Sequence, residues 1–236
     1  MKIEVLYGEV CNLCGELTNI SYLRACCPEI QVIETDLHTR PRFLDQDVAM
    51  VYLGSATEKG LRLVADALRP YRDEIAARVE AGQFFLATGN APDILCQRLE
   101  SDMAPTIEGL GLLSGTVRYR MMARHNSFYL GKWNEWDIVG FKSLFGFTFD
   151  STAPAWFQTV RGVGRDGQDG SADGFCRGQL YATHLIGPLL VLNPPLARWV
   201  LDKIGAPPSL AFPQAMEAAY QKRVEEFAQP ERNYLY

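Results

Sequence analysis

The run Phe84-Phe85-Leu86-Ala87, cut off by Thr88-Gly89-Asn90 and followed by Pro92, constrains the fold more than any other stretch of the chain. Four consecutive apolar residues suit a strand covered on both faces, the condition of a strand inside a parallel sheet flanked by helices. Pro92 then falls in a first helical turn, where the missing amide costs nothing because those amides have no intrahelical partner. The same order of strand, turn and helix recurs upstream. Residues 2–7 read as a strand, 15–26 as a helix that can turn Leu17, Ile20, Tyr22 and Leu23 to the sheet, and 30–35 as a second strand. Met50 to Leu53 end a third, and Gly54-Ser55-Ala56-Thr57 leads into a helix from Glu58 to Val79. Alternation of this kind predicts a mainly parallel sheet.

The pattern changes after residue 115. Short strands around Val117 to Met122, Phe128 to Leu130 and Ile138 to Phe141 predict an antiparallel extension. A Gly/Asp-rich loop at 162–174 precedes a strand from Gln179 to Ile186, and helices at 195–204 and 213–227 end the chain. No internal repeat or low-complexity segment breaks the 236 residues, so one α/β domain spanning 1–236 is expected.

A chain that is 47% hydrophobic and 22% charged is ordinary for a globular protein, and its longest apolar runs are too short for a membrane span. The first residues, Met1 to Tyr7, read as a strand and not as an export signal, which makes the cytoplasm the expected compartment. A net charge of −5 with scattered arginines argues against nucleic-acid or anionic-membrane partners. Small molecules or proteins are the expected partners.

Cys11 and Cys14 form a C-x-x-C pair, with Cys26-Cys27 following. Adjacent Cys26 and Cys27 do not turn easily toward one tetrahedral centre, so no metal site is expected. A strand before C-x-x-C and a helix after it also fit a thiol redox motif, in which a helix N-terminus lowers the first thiol's pKa. Alternatively these are small residues packed in a reducing compartment.

Four separated segments carry a resemblance. Asn12-Leu13-Cys14-Gly15-Glu16-Leu17-Thr18-Asn19 is similar to an N-x-Y-G-D-x-G-N opening, with Cys14 at the tyrosine. Met50 to Lys59 is similar to a strand and turn that end in a triple glycine. Phe85 to Leu95 matches a nucleophile turn of the form L-A-I-C-G-G-Y-Q-L-L, and Gly109 to Leu113 the G-L-G-I/L-L after it. The Gly-rich loop and Tyr181 to Trp199 resemble a closing G-T-Y-L-H-G-P-L-L-x-x-N-P segment and its helix. Together they resemble the class I glutamine amidotransferases of the CobB/CobQ type, nearest to the glutaminase subunits that partner Mur-ligase-like enzymes acting on cell-wall lipid II. The resemblance implies a three-layer, flavodoxin-like α/β fold, no cofactor, and a glutamine-like small molecule or a Mur-ligase-like synthase as partner.

It also implies what glutamine hydrolysis requires: a thiolate on a sharp turn, a histidine to carry its proton, and backbone amides to hold the oxyanion. The alignment places Gly89 at the cysteine and Ile186 at the histidine, so no intact catalytic pair is expected. Glycine adopts the dihedrals of such a turn without a steric penalty. Thr88, one residue earlier, has a hydroxyl that needs a base beside it to act as a nucleophile. His184 lies two residues before Ile186, roughly 6–7 Å away along a strand, and reads equally as a packed histidine or a ligand contact. Gly54-Ser55-Ala56-Thr57 replaces the glycine run of the oxyanion turn.

A scaffold without its catalytic pair is expected to bind a ligand or partner through the crevice at the strand ends, with Gly54, Ser55, Asn90 and His184 as candidate contacts. Trp133 and Trp136, in Gly131 to Trp136, are candidates for an interaction segment or for the core. An active enzyme with an unorthodox nucleophile would need Thr88 or Cys96, the latter expected on the helix after the turn. A redox protein would use Cys11 and Cys14.

Overall fold

In the computed structural model, which describes residues 1–233 and Leu235, the recurring strands assemble into one six-stranded sheet. Its strands are β1 (Lys2–Leu6), β2 (Gln31–Thr35), β3 (Met50–Leu53), β4 (Phe85–Ala87), β12 (Phe175–Arg177) and β13 (Leu180–Ala182). They lie in the order β12-β13-β4-β3-β1-β2, every neighbouring pair parallel except β12 with β13. Each central strand buries both faces, because alternate residues feed different cores. Val51, Leu53, Phe85 and Ala87 pack with Leu61, Val64, Leu68, Ile75 and Val79 on one side. Met50, Tyr52, Phe84 and Leu86 pack with Ile20, Leu23, Leu196 and Val200 on the other. Helices α2 (Glu58–Leu68) and α3 (Arg72–Glu80) cover the first face; α1 (Thr18–Cys26), α5 (Leu189–Leu192) and α6 (Pro194–Lys203) cover the second. The result is the expected three-layer α/β fold.

Several elements differ from the sequence-based expectation, each for a local reason. The helix expected from 58 to 79 is two helices, since Pro70 lacks an amide and its first turn tightens into a 3₁₀ turn at Arg69–Tyr71. The helix after Pro92 is a single turn, α4 (Pro92–Leu95), so Cys96 lies just past its end, buried. The strand expected from Gln179 to Ile186 stops at Ala182; Ile186 instead makes an isolated bridge with Phe141.

The central sheet is extended at one edge by the antiparallel β12, and the remaining antiparallel strands lie beyond it. They form two sheets of their own. One, in the order β10-β7-β5-β6, contains β5 (Arg98–Ser101), β6 (Ile107–Glu108), β7 (Thr116–Tyr119) and β10 (Gly146–Phe149). The other sets the hairpin of β8 (His125–Trp133) and β9 (Trp136–Leu144) beside β11 (Gln158–Arg161). The hairpin turns at Asn134, whose φ of 53° suits asparagine in a two-residue loop. This places Trp133 and Trp136 5.5 Å apart. Trp133 then packs 4.8 Å from Trp199 and 5.7 Å from Trp156, ring centroid to centroid, so it joins the hairpin to α6 and is a packing residue rather than part of a loop. The C-terminal helix α7 (Pro213–Ala228) closes over the hairpin through Tyr220 and Phe227. Among the described residues no helix is long and apolar enough to cross a membrane.

A buried ion pair fixes the Gly/Asp-rich loop to this frame. Lys142 on β9 and Asp173 are both 0% exposed, with Nζ 2.6 Å from Oδ1. Nζ also donates to the carbonyls of Val163 at 2.7 Å and Gly164 at 3.2 Å, so its three protons are satisfied. Breaking such a pair leaves an uncompensated charge inside the protein. Lys142→Met is expected to cost about 3–5 kcal/mol in urea unfolding, and Lys142→Met with Asp173→Leu to recover most of it. A single substitution costing under about 1 kcal/mol, the range of exposed pairs, would show that the pair does not hold the loop.

Candidate functional site

The parallel strands β1, β3, β4 and β13 end at one edge of the sheet, where ligand crevices of open α/β folds form. Here the turns that follow them are laced together. The amide of Thr88 donates to Leu53 at 3.0 Å, that of Thr183 to Ala87 at 3.0 Å, and that of Gly89 to Leu185 at 3.3 Å. Gly54 sits so close to the first turn that a Cβ on it would lie 2.5 Å from the Cys11 carbonyl oxygen.

Gly89 has a φ of +65°, the left-handed region that a sharp strand-to-helix turn imposes and glycine tolerates. A Cβ there would point at Ser55, 2.4 Å from its Cβ and 3.0 Å from its Oγ, and would lie 3.3 Å from Cγ2 of Ile186. Gly89 and Ile186 therefore lie side by side, and Ser55 crowds the position a side chain on residue 89 would take. Ser55 is held there by its hydroxyl, which donates to the Leu13 carbonyl at 2.6 Å, and by its own carbonyl, which accepts from the Leu13 amide at 2.9 Å.

Thr88 points the other way. It is 0% exposed, and its hydroxyl donates to Oε2 of Glu16 and lies 2.7 Å from the Tyr52 hydroxyl. Asn19 completes the cluster, donating from Nδ2 to the Tyr52 hydroxyl and to the Glu16 carbonyl, each at 3.0 Å. Burial pushes the Glu16 carboxyl up to about 7, against hydrogen bonds from Thr88, the Gly187 backbone and Tyr52 that pull it down. A carboxyl thus does stand beside Thr88, with both groups buried beneath the sheet edge.

His184 turns inward as well. Its Nε2 lies 2.7 Å from Oδ1 of Asp93, whose Oδ2 accepts from the Tyr119 hydroxyl, and its ring stands edge-on to Phe175 at 5.9 Å. At 1% exposure its ring is packed in the interior, in keeping with the packed-histidine alternative. Asn90 is engaged too: Oδ1 accepts from the Ala56 amide at 2.9 Å, and Nδ2 donates to the Ala56 carbonyl at 2.7 Å. Gly54 and Ser55 are buried, and Asn90 is half-buried.

Glu16, Tyr52, Asp93 and Tyr119 are the functional-looking polar groups that sequence reasoning missed. Glu16 falls inside the Asn12–Asn19 motif and Asp93 just beyond the Thr88 turn, so charges within a motif were the available signal; Tyr52 and Tyr119 read only as strand residues. The thiols are unactivated. Burial pushes Cys11 up to about 12 and raises Cys14 and Cys96 above the usual thiol range, although Arg124 pulls Cys14 down. Cys14 is exposed while Cys11 is buried, an arrangement without the lowered pKa a redox pair needs. Cys26 accepts from the Ala211 amide at 3.2 Å, and among the described residues no group of three or more His, Cys, Asp or Glu is placed to hold a metal.

The raised Glu16 pKa has a direct consequence for stability. Between the ordinary carboxyl range and pH 7 the unfolded chain has released this proton while the folded chain keeps it, so folding loses stability as pH rises through that window. The contribution is of the order of 3 kcal/mol, present in full below the ordinary range and lost above about 7. Glu16→Gln is expected to flatten the pH dependence of urea stability between pH 4.5 and 7 relative to the parent chain. Identical slopes for the two proteins would place the proton elsewhere.

Comparison with known proteins locates this geometry in a fold. No protein-family model and no curated protein sequence matches the chain. Solved structures do. The structure of PurLQS from Thermotoga maritima superposes with a TM-score of 0.54 at 16% identity, covering 94% of this chain and 97% of that one. A glutamine amidotransferase superposes with a TM-score of 0.53 at 18% identity, covering 86% and 99%. A second glutamine amidotransferase, also from Thermotoga maritima, superposes with a TM-score of 0.54 at 11% identity, covering 97% and 93%. At these identities the likeness establishes the fold: this chain is built as a class I glutamine amidotransferase is built.

Proposed function

We propose that this chain is a CobB/CobQ-like glutamine amidotransferase homologue that has lost glutaminase activity and serves as a partner or regulatory subunit of an amide-forming, Mur-ligase-like synthase. The observation that carries the reading is Ser55. Its Cβ stands 2.4 Å from where a Cβ on residue 89 would be, which supports the reading of a turn with no room for a nucleophilic side chain. Ile186 at the histidine position supplies no proton carrier. The candidate contacts for a glutamine-like molecule are engaged within the chain, which favours a protein partner over a small ligand in the crevice. Six cysteines stand as free thiols, in keeping with the reducing cytoplasm. An amidation step in cell-wall or corrinoid synthesis suits such a subunit, with the synthase taking free ammonia.

Ammonia release from glutamine, measured with and without iodoacetamide and with and without the synthase, is expected to stay at the level of the protein-free control. Alkylation-sensitive release would overturn the loss of activity; a synthase that neither binds the chain nor changes its ammonia-dependent rate on adding it would overturn the partner role. Gly89→Cys tests the filled site from the other side. It is expected to remain inactive and to lose about 1–3 kcal/mol to the left-handed backbone and the Ser55 contact, part of which Ser55→Gly restores. A Gly89→Cys protein as stable as the parent would mean that the turn has room for a side chain.

A further inference from the structure

The β7–β10 ribbon turns an aromatic and basic face outward. Its strands pair antiparallel, with Phe147 opposite Arg118 and the Arg120 amide donating to the Phe145 carbonyl at 2.8 Å. Residues opposite each other share a face, so Phe145, Phe147 and Phe149 lie on one side with Arg118 and Arg120, while Val117, Tyr119 and Thr148 point into the core. Arg124 joins them from the loop before β8. These residues line a concavity of about 570 Å³, within the range of small-molecule sites.

Two features distinguish it from a solvated surface. First, the charge is uncompensated. Arg118 has Glu100 and Asp150 at 3.6 Å each, but among the described residues the guanidiniums of Arg120 and Arg124 have no hydrogen bond or ion pair, in a chain whose net charge is −5. Asp166 is the sole carboxylate on the lining, and its Oδ1 already accepts from the Gln168 amide at 2.9 Å and from the Ser171 hydroxyl. Second, the floor is aromatic. The Arg124 guanidinium stacks over Phe145 at 4.7 Å and that of Arg118 over Phe149 at 4.9 Å, while Phe147 between them meets the His125 ring at a steep angle, 5.5 Å between centroids, and has no cation over its ring among the described residues. Guanidinium forks hold phosphates, and aromatic rings with stacked guanidiniums offer a planar base a surface of matching shape.

We propose that this concavity binds a free nucleotide, with its base stacked over Phe147 and its phosphates held by Arg120 and Arg124. The Gly167 turn packs against Phe147, where a Cβ would lie 2.9 Å from the ring, and bounds the concavity on that side. The site is outside the filled crevice and does not depend on the function proposed for it.

Titration calorimetry of the full chain with ATP, UTP, inorganic triphosphate, adenosine and a single-stranded oligoadenylate separates the contributions. Saturable binding of ATP or UTP is expected, with triphosphate and adenosine each weaker by about tenfold or more, since each lacks one of the two contacts. Arg120→Ser with Arg124→Ser, both at exposed positions, is expected to weaken the nucleotide by about tenfold or more. Phe147→Leu is expected to remove the advantage of nucleotide over triphosphate, with the unfolding midpoint of each variant checking that it is folded. No saturable heat with either nucleotide, equal affinity for triphosphate, or affinity unchanged in the arginine variant would each overturn the assignment. Oligoadenylate binding more tightly than ATP would replace it with a nucleic-acid surface.

Discussion

Close approach of backbone turns at one edge of the parallel sheet is the constraint on which the rest of this structure depends. Gly54 accepts the Cys11 carbonyl where any side chain would collide, and Gly89 accepts Ser55 in the same way. Once those turns touch, the Ser55 hydroxyl reaches Leu13 and the Asn90 amide pairs with both backbone groups of Ala56. Each contact satisfies a polar group that burial would otherwise leave costly. The edge that keeps an open crevice in a ligand-binding α/β protein is here an internal seam.

Polar groups sealed beneath that seam behave accordingly. Glu16 with Thr88, Tyr52 and Asn19, and His184 with Asp93 and Tyr119, each join segments distant in sequence. Both clusters contain residues that would look catalytic in a sequence. Thr88, Glu16 and His184 are all essentially unexposed. A carboxyl near neutrality beside a hydroxyl can be the cost of burying a network. Lys142 and Asp173 do the same work at the opposite side of the hairpin, with no such resemblance to chemistry.

The central fold was legible because two-sided burial writes itself into sequence: Phe84 to Ala87 reads as an apolar run whatever surrounds it. Gly89 was legible for a related reason, as the turn demands a left-handed residue and glycine supplies one. The roles of Ser55, Asn90 and His184 were not, because whether a polar side chain faces a ligand or a neighbouring turn depends on distances between segments over 30 residues apart. Element ends were lost where a single local competitor decided them, as Pro70 did between α2 and α3. The accessory strands were recognised singly, but their division into separate sheets depends on edges that sequence does not mark. Arg118, Arg120 and Arg124 read as scattered because their common face appears only when β7 pairs with β10.

Charge and accessibility together indicate where a chain of this design can still act. Within the seam, the ionisable groups are matched to one another and withdrawn from solvent, so a ligand there would have to displace Ser55 and break its bonds to Leu13. On the β7–β10 face the balance is reversed: Arg120 and Arg124 lie exposed without carboxylate partners, in a protein whose overall charge is negative. A cation with no internal partner gives up least when it binds an anion, because no existing pair has to be broken. The same scaffold holds three phenylalanines and their arginines in the register that a pleated ribbon imposes.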